Sequence, residues 1–388
     1  MKIADVRTIA LSCRCDPPYA SAAGVQAQRA ALLVEIETDS GIVGIGEAGI
    51  GGGVTATVIE KSLKPLLVGE DPLLIEHLWQ KMFARTRQYG RRGVFLHAIS
   101  GIDIALWDIA GKLAKLPVYK LLGASRDRVE AYASGGFYQE GKSAADLAGE
   151  AEGYRARGFK GMKMKVGRNP STGTHLRQLI GQTEFSEVEP SEDLARVAAV
   201  RQALGPNGKL MVDVNCAWSP DFAIEMGRAM EAQRLYWIEE PVATDDIDGS
   251  ARVAAALATA VAGYETENGL YGFRQLIDRG AVDIVQPDIA WSGGFSEGRR
   301  IAAYAQAHHK MVAPHAFAGA VLLVASLHFA AAIPNGLLLE WDQNPNALRD
   351  ELSKEPLRLE SDGTVKPPER PGLGIELDRV AIDRYRIS

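Results

Sequence analysis

Seven short apolar runs recur through the C-terminal two thirds of this chain, and each ends in, or next to, a polar or charged residue. They are GMKMKV (161–166), LMVDVN (210–215), LYWIEE (235–240), ATAVAGYE (258–265), AVDIVQPD (281–288), KMVAPH (310–315) and GLLLEW (336–341). With Lys165, Asp213, Glu239, Glu265, Asp288, His315 and Glu340 as markers, the intervals are 48, 26, 26, 23, 27 and 25 residues. Runs that are apolar throughout suit strands covered on both faces of a parallel sheet, and parallel neighbours need a crossover between them, usually a helix. One strand-plus-helix unit of an eight-unit barrel takes about 30 residues, so five of the six intervals match one unit each. The excess of the first falls in residues 168–193, which are mostly polar with prolines at 170 and 190. This stretch reads as an excursion over the barrel mouth; a missed strand is the alternative.

The N-terminal third has a different rhythm. ALLVEIET and IVGIGE are two strand-like runs around Asp39-Ser40-Gly41, a composition that favours a tight turn. Ala98, Ile102, Ala105, Ile109 and Leu113 then recur at helical spacing, and Pro117 sets the end of that helix. Strands followed by helices suggest a small α+β unit ending near Gly123. From Pro356 onward an expected hairpin around Asp362-Gly363 and the extended PGLGIELD read as a return to that unit.

Composition closes off other classes. Lys and Arg number 43 against 49 Asp and Glu, a net charge of -6 that disfavours a nucleic-acid partner. Three cysteines, Cys13, Cys15 and Cys216, are too few for a disulfide framework and point to a reducing, cytoplasmic compartment. The N-terminus carries Lys2, Asp5 and Arg7 and lacks the apolar core of a signal peptide. The longest apolar stretch, 316–333, is broken by Gly319, Ser326 and His328. It reads as a buried helix rather than a membrane span of about 20 apolar residues, so no membrane association is expected. Residues 44–49 fit the dinucleotide fingerprint GxGxxG, but they end a hairpin strand and run into further glycines, so a mobile loop is expected instead.

Barrel enzymes gather reactive groups at the C-terminal ends of their strands. Asp213, Glu239 and Glu265 stand there on consecutive strands. Three carboxylates held close raise one another's pKa, and an all-oxygen set calls for a hard cation such as Mg²⁺. Lys163 and Lys165, two apart on one strand, point to the same side. They should face the acids, and each should lower the other's pKa, which suits one of them to act as a neutral base. Asp288 and His315 lie one unit apart, so the acid can orient one ring nitrogen and free the other for proton transfer. Glu340 ends the last run, where it either joins the site or merely caps the barrel.

The motifs KMK (163–165), VDVN (212–215), IEEP (238–241), AGYE (262–265), QPD (286–288) and APH (313–315) resemble those of the enolase superfamily, within it the mandelate racemase-like group. The resemblance covers nearly the whole chain. It implies an α/β fold with a modified TIM barrel, (β/α)7β, at 126–355, an N-terminal α+β capping domain at 1–125 and a C-terminal return at 356–388. It further implies that Asp213, Glu239 and Glu265 bind Mg²⁺, that Lys165 and the His315–Asp288 pair are two acid/base catalysts, and that Lys163 and Glu340 meet the substrate carboxylate. Capping loops at 16–28 and 49–54, with Tyr19, would help set specificity. Tyr264, where the group often has glycine, and the insertion after Gly167 depart from the pattern on the substrate side. The activity implied is removal of the α-proton of a small carboxylate. Dehydration of a sugar acid is the favoured outcome; racemisation of a 2-hydroxy acid and lactone cycloisomerisation use the same first step. A carboxylate-binding protein without turnover is the competing class. A homo-oligomer is expected.

Overall fold

The computed structural model describes residues 1–49, 52–169 and 187–387. The chain opens with a three-stranded antiparallel sheet, β1 (Ile3–Ala20), β2 (Val25–Thr38) and β3 (Val43–Ala48). The β2–β3 hairpin turns at Gly41, whose φ of 81° a side chain rarely adopts. Residues 44–49 are therefore not a loop up to Ala48: Gly44 and Gly46 lie in β3, packed on the helix Val94–Ala114. A Cβ on Gly44 would stand 2.2 Å from the Ala105 carbonyl oxygen, and one on Gly46 2.1 Å from that of Gly101. Close packing explains these glycines. That helix is long and apolar enough to cross a membrane by length and composition, and most of it is buried between the sheet and its neighbours.

Eight parallel strands follow: β4 (Val129–Ser134), β5 (Gly161–Lys165), β6 (Lys209–Asp213), β7 (Trp237–Glu239), β8 (Val261–Gly263), β9 (Ile284–Val285), β10 (Met311–Val312) and β11 (Leu339–Asp342). A bridge from Val312 to Gly336 closes the circle. Among the described residues seven helices, from Ala144–Ala156 to Ala320–Ala332, each connect one strand to the next. The strand beyond the seven runs lies ahead of the long interval as β4, and its sequence, VEAYAS, ends without a charged marker. Of the expected excursion, residues 170–186 lie outside the described residues. From Pro190 the chain is already helical, with proline in the first turn of Pro190–Leu204, where its missing N–H costs nothing.

Side chains alternate across the strands. Met162, Met164, Leu210, Val212, Ile238 and Val285 face the helices in the main core, whereas Tyr132, Met211, Trp237, Ala262, Ile284, Ala313 and Leu338 form a separate cluster inside the barrel. This inner cluster is a packed floor. The helix Ala320–Ala332 is buried at every residue, as the apolar 316–333 stretch requires. The turn at Asp362-Gly363 leads into β12 (Thr364–Val365), which pairs antiparallel with β4, while farther on Leu373 donates its N–H to Asp108 of the helix Val94–Ala114. The tail thus touches both halves. Among the described residues the three cysteines form no disulfide.

Candidate active site

Two residues beyond the floor, the inward side chains turn from apolar to charged. Asp213 ends β6 and Glu239 ends β7, in ladder register with Lys165 on β5. Glu265 follows β8 by two residues. Asp213, Glu239 and Glu265 each offer a carboxylate oxygen within 4.8 Å of the others. Lys163 contacts Glu239, lies 2.8 Å from Glu340 and 3.5 Å from Asp213, and Lys165 contacts Asp213. On the far side His315 Nδ1 is 2.7 Å from Asp288 Oδ2, and its Nε2 is 3.3 Å from Glu265 Oε2. All eight side chains named from the sequence meet in this one cluster.

Electrostatics corrects one expectation. Burial lowers the pKa of both lysines, and Lys163 opposes Lys165, but the acids outweigh both effects and hold the two lysines above the ordinary lysine value. Lys165 is a charged amine while Asp213 faces it. Burial and neighbouring acids push Glu239 up to about 8 and raise Glu265. Asp213 is the exception: against burial, Lys165 and Lys163 pull it below the ordinary value. Against burial, Lys163 and His315 hold Glu340 well below the usual carboxylate range. Burial lowers His315, yet Glu265, Asp288 and Glu340 raise it to about 10.

Several neighbours escaped the sequence reading. Trp237 Nε1 and Gln286 Nε2 each donate to Glu239 Oε2 at 2.8 Å, which leaves Oε1 for Lys163 or a cation. Glu240 is buried, accepts the Glu265 N–H at 3.0 Å and is raised by burial and by Glu265. The second acid of IEEP was its only signal. Phe137 and Phe317 flank the Lys165 amine at 4.9 and 6.0 Å from their ring centroids. Tyr264 points the other way, into the helix layer, with its hydroxyl on Ser250 at 2.8 Å. It does not shape the substrate side. The 16–28 stretch is the tip of the β1–β2 ribbon rather than a free loop, and Tyr19 is fully buried, edge-on to Phe137. Residues 50–51 of the second expected loop lie outside the described residues. Between the N-terminal sheet and the mouth lies a cavity of about 260 Å³, lined in part by Gln28, Arg29, Trp291 and Phe317. Trp291 and Phe317 also flank the His315 ring, at 5.3 and 6.3 Å. A larger surface groove of about 710 Å³, beside Leu73 and Trp107, is lined by none of these catalytic candidates.

The donor set fits a hard divalent cation: two buried carboxylates and the half-buried Glu265 converge with oxygen ligands only. Asn215 Oδ1 and Gln286 Oε1, beside Asp213 and Glu239, are buried without a hydrogen-bond partner, as expected of a site shaped for a ligand.

The family comparisons agree with this geometry. Residues 3–123 match the model of the mandelate racemase / muconate lactonizing enzyme N-terminal domain, and residues 146–381 match that of the enolase C-terminal domain-like family. The chain belongs to the mandelate racemase-like group of the enolase superfamily. It is 41% identical to an arabinonate dehydratase of Saccharolobus solfataricus over 92% of this chain and 90% of that one. It is 38% identical to a D-galactarolactone cycloisomerase of Agrobacterium fabrum, over 100% and 99% of the two chains. The solved structure of a racemase from Streptomyces coelicolor with bound magnesium superimposes with a TM-score of 0.88 at 32% identity, covering 99% of this chain and 100% of that one. The chain is thus an enzyme of a superfamily whose members include lyases and isomerases.

Proposed function

We propose that this enzyme removes the α-proton of a sugar acid and expels the β-hydroxyl as water. The observation that carries the reading is the pair of proton-transfer groups on opposite sides of the acid triad: Lys165 on β5, and His315 backed by Asp288. In this reading residues 1–125 act as a cap, 126–355 as the catalytic barrel and 356–388 as the segment tying the two. Asp213, Glu239 and Glu265 would hold Mg²⁺, which when bound supplies positive charge against the charge that develops on the substrate carboxylate. Lys163 and Glu340 bracket that carboxylate, and Lys163 adds a second positive charge. One of the two catalysts, in its neutral form, takes the α-proton; Lys165 would reach that form once Asp213, which holds its charge, is engaged by the cation. His315, oriented through Nδ1 by Asp288, delivers a proton from Nε2 to the departing hydroxyl. The Phe137, Phe317 and Trp291 rings exclude water around both proton carriers.

The full-length similarity to a cycloisomerase favours a second reading, in which the same proton abstraction serves lactone opening. Solvent-deuterium exchange at the α-carbon, run with Mg²⁺ over a panel of pentonates, hexonates, hexarates and their lactones, separates them. Dehydration gives a 2-keto-3-deoxy acid; isomerisation gives exchange with no ketone from the acyclic acids. His315→Asn should abolish exchange on one stereochemical face, and unchanged exchange on both faces would sink the two-catalyst assignment.

A further inference from the structure

The backbone that follows His315 is pinned at four successive residues. The Ala316 N–H donates to Glu340 Oε2 at 3.0 Å, and the Phe317 carbonyl accepts from Arg29 Nη2 at 2.9 Å. The Ala318 carbonyl accepts from Asn346 Nδ2 at 2.8 Å, and the Gly319 N–H donates to Glu47 Oε1 at 2.7 Å. Glu340 and Asn346 come from the C-terminal side of the barrel. Arg29 on β2 and Glu47 on β3 come from the N-terminal sheet, 288 and 272 residues away.

Both of these distant residues are buried and specifically built in. Glu47 also accepts the Leu322 N–H through Oε2 at 2.9 Å, so its carboxylate closes the first turn of the helix Ala320–Ala332. An acid at that position satisfies N–H groups that have no partner within the helix and meets the positive end of the helix dipole. Arg29 lies 3.1 Å from Asp342 Oδ2, donates to the Tyr19 hydroxyl at 3.2 Å and stacks 3.9 Å from the centre of the Phe317 ring. Asp342 is two residues beyond Glu340 on β11. The two proton carriers therefore differ in what holds them. Lys165 rides on β5, fixed by the ladder to β6. His315 stands outside any strand, at the head of a segment whose polar groups are satisfied by imported side chains.

We propose that Glu47 and Arg29 are positioning residues for His315, so that the N-terminal sheet sets the aim of this proton carrier through the backbone that follows it. The proposal rests on the two-catalyst reading above. Removing the Glu47 carboxylate leaves the Gly319 and Leu322 N–H groups buried and unpaired, and the segment shifts to find partners. A displacement of about 1 Å at a catalytic group costs about a hundredfold in rate.

The experiment uses the full chain with Mg²⁺ and compares wild type, Glu47→Ala, Glu47→Gln and Arg29→Met. Deuterium exchange at the two stereochemical faces is measured on one enzyme sample, so that the ratio is independent of how much protein is folded. The imidazole N–H signals of ¹⁵N-histidine-labelled protein are recorded in parallel, with His315→Asn supplying the assignment. In Glu47→Ala and Arg29→Met the His315-side exchange should fall by between about tenfold and a hundredfold relative to the Lys165 side, and the His315 signal should move. Glu47→Gln keeps one acceptor and should recover part of both, which also covers the case in which Glu47→Ala fails to fold. An unchanged face ratio together with an unmoved His315 signal overturns the proposal. If wild type exchanges on neither face, the two-catalyst reading fails on its own, and the signal alone decides: displaced in Glu47→Gln supports the positioning role, undisplaced overturns it.

Discussion

Acidification should weaken this protein through one histidine remote from the site. His328 lies in the helix Ala320–Ala332 and is fully buried. Its Nδ1 accepts the Tyr119 N–H at 3.2 Å, so the proton sits on Nε2, which donates to the Leu373 carbonyl at 3.0 Å. A second proton on Nδ1 would face the Tyr119 N–H, donor against donor. Burial therefore holds His328 down at about 4, against an ordinary value of 6.5. Between those limits the unfolded chain binds a proton that the folded chain refuses, so stability falls as pH drops from about 6.5 to about 4 and levels off below. The gap of about 2.5 pH units, each equivalent to about 1.4 kcal/mol, amounts to about 3 kcal/mol. His328→Asn retains an acceptor for Tyr119 and loses the bond to Leu373, at a cost of about 1–3 kcal/mol at every pH. It removes the proton linkage. Urea unfolding at pH 7.5 and pH 4 should show wild type losing about 3 kcal/mol more than the variant across that interval. Every other group titrates alike in both proteins, so equal losses would refute the assignment of a neutral, acceptor-bearing His328.

Two further outcomes follow from the charged cluster. Lys163→Met leaves the ionised Glu340 buried without its lysine and should cost about 3–5 kcal/mol in the presence of a chelator, read as the urea midpoint; an unchanged midpoint would show that Lys163 does not balance this acid. Added Mg²⁺ should raise the melting temperature, by an amount equivalent to about 2.7 kcal/mol at a hundred times its Kd. Asp213→Asn should abolish most of that gain, and an equal rise with NaCl at matched ionic strength would point to screening alone.

The barrel was legible because each inward-facing polar group comes where an apolar run stops, and the intervals between successive markers after the first are nearly equal. Only β4 was hidden, since VEAYAS ends in Ser134 and its inward Tyr132 belongs to the floor. The lysine pair shows the limit of local reasoning. Two ammonium groups on one strand repel, but the sum runs over all neighbours, and four acids on other strands reverse its sign. Gly44 and Gly46 fit the dinucleotide fingerprint along the chain because the helix that demands their small size arrives some 55 residues later. Arg29 and Glu47 had no sequence signal at all. Nothing in QRAALL or GIGEAG announces a partner near residue 320, and only the packing of the sheet on the barrel brings them together.

The packed floor has a consequence for traffic. Tyr132, Met211 and Trp237 block the barrel beneath the charged ring, so the interior is a cul-de-sac rather than a corridor. Whatever reacts there arrives and departs above the floor, at the charged ends of the strands. Arrival and departure exclude each other, and a slow-leaving product blocks the next substrate however fast the bond-making steps have become.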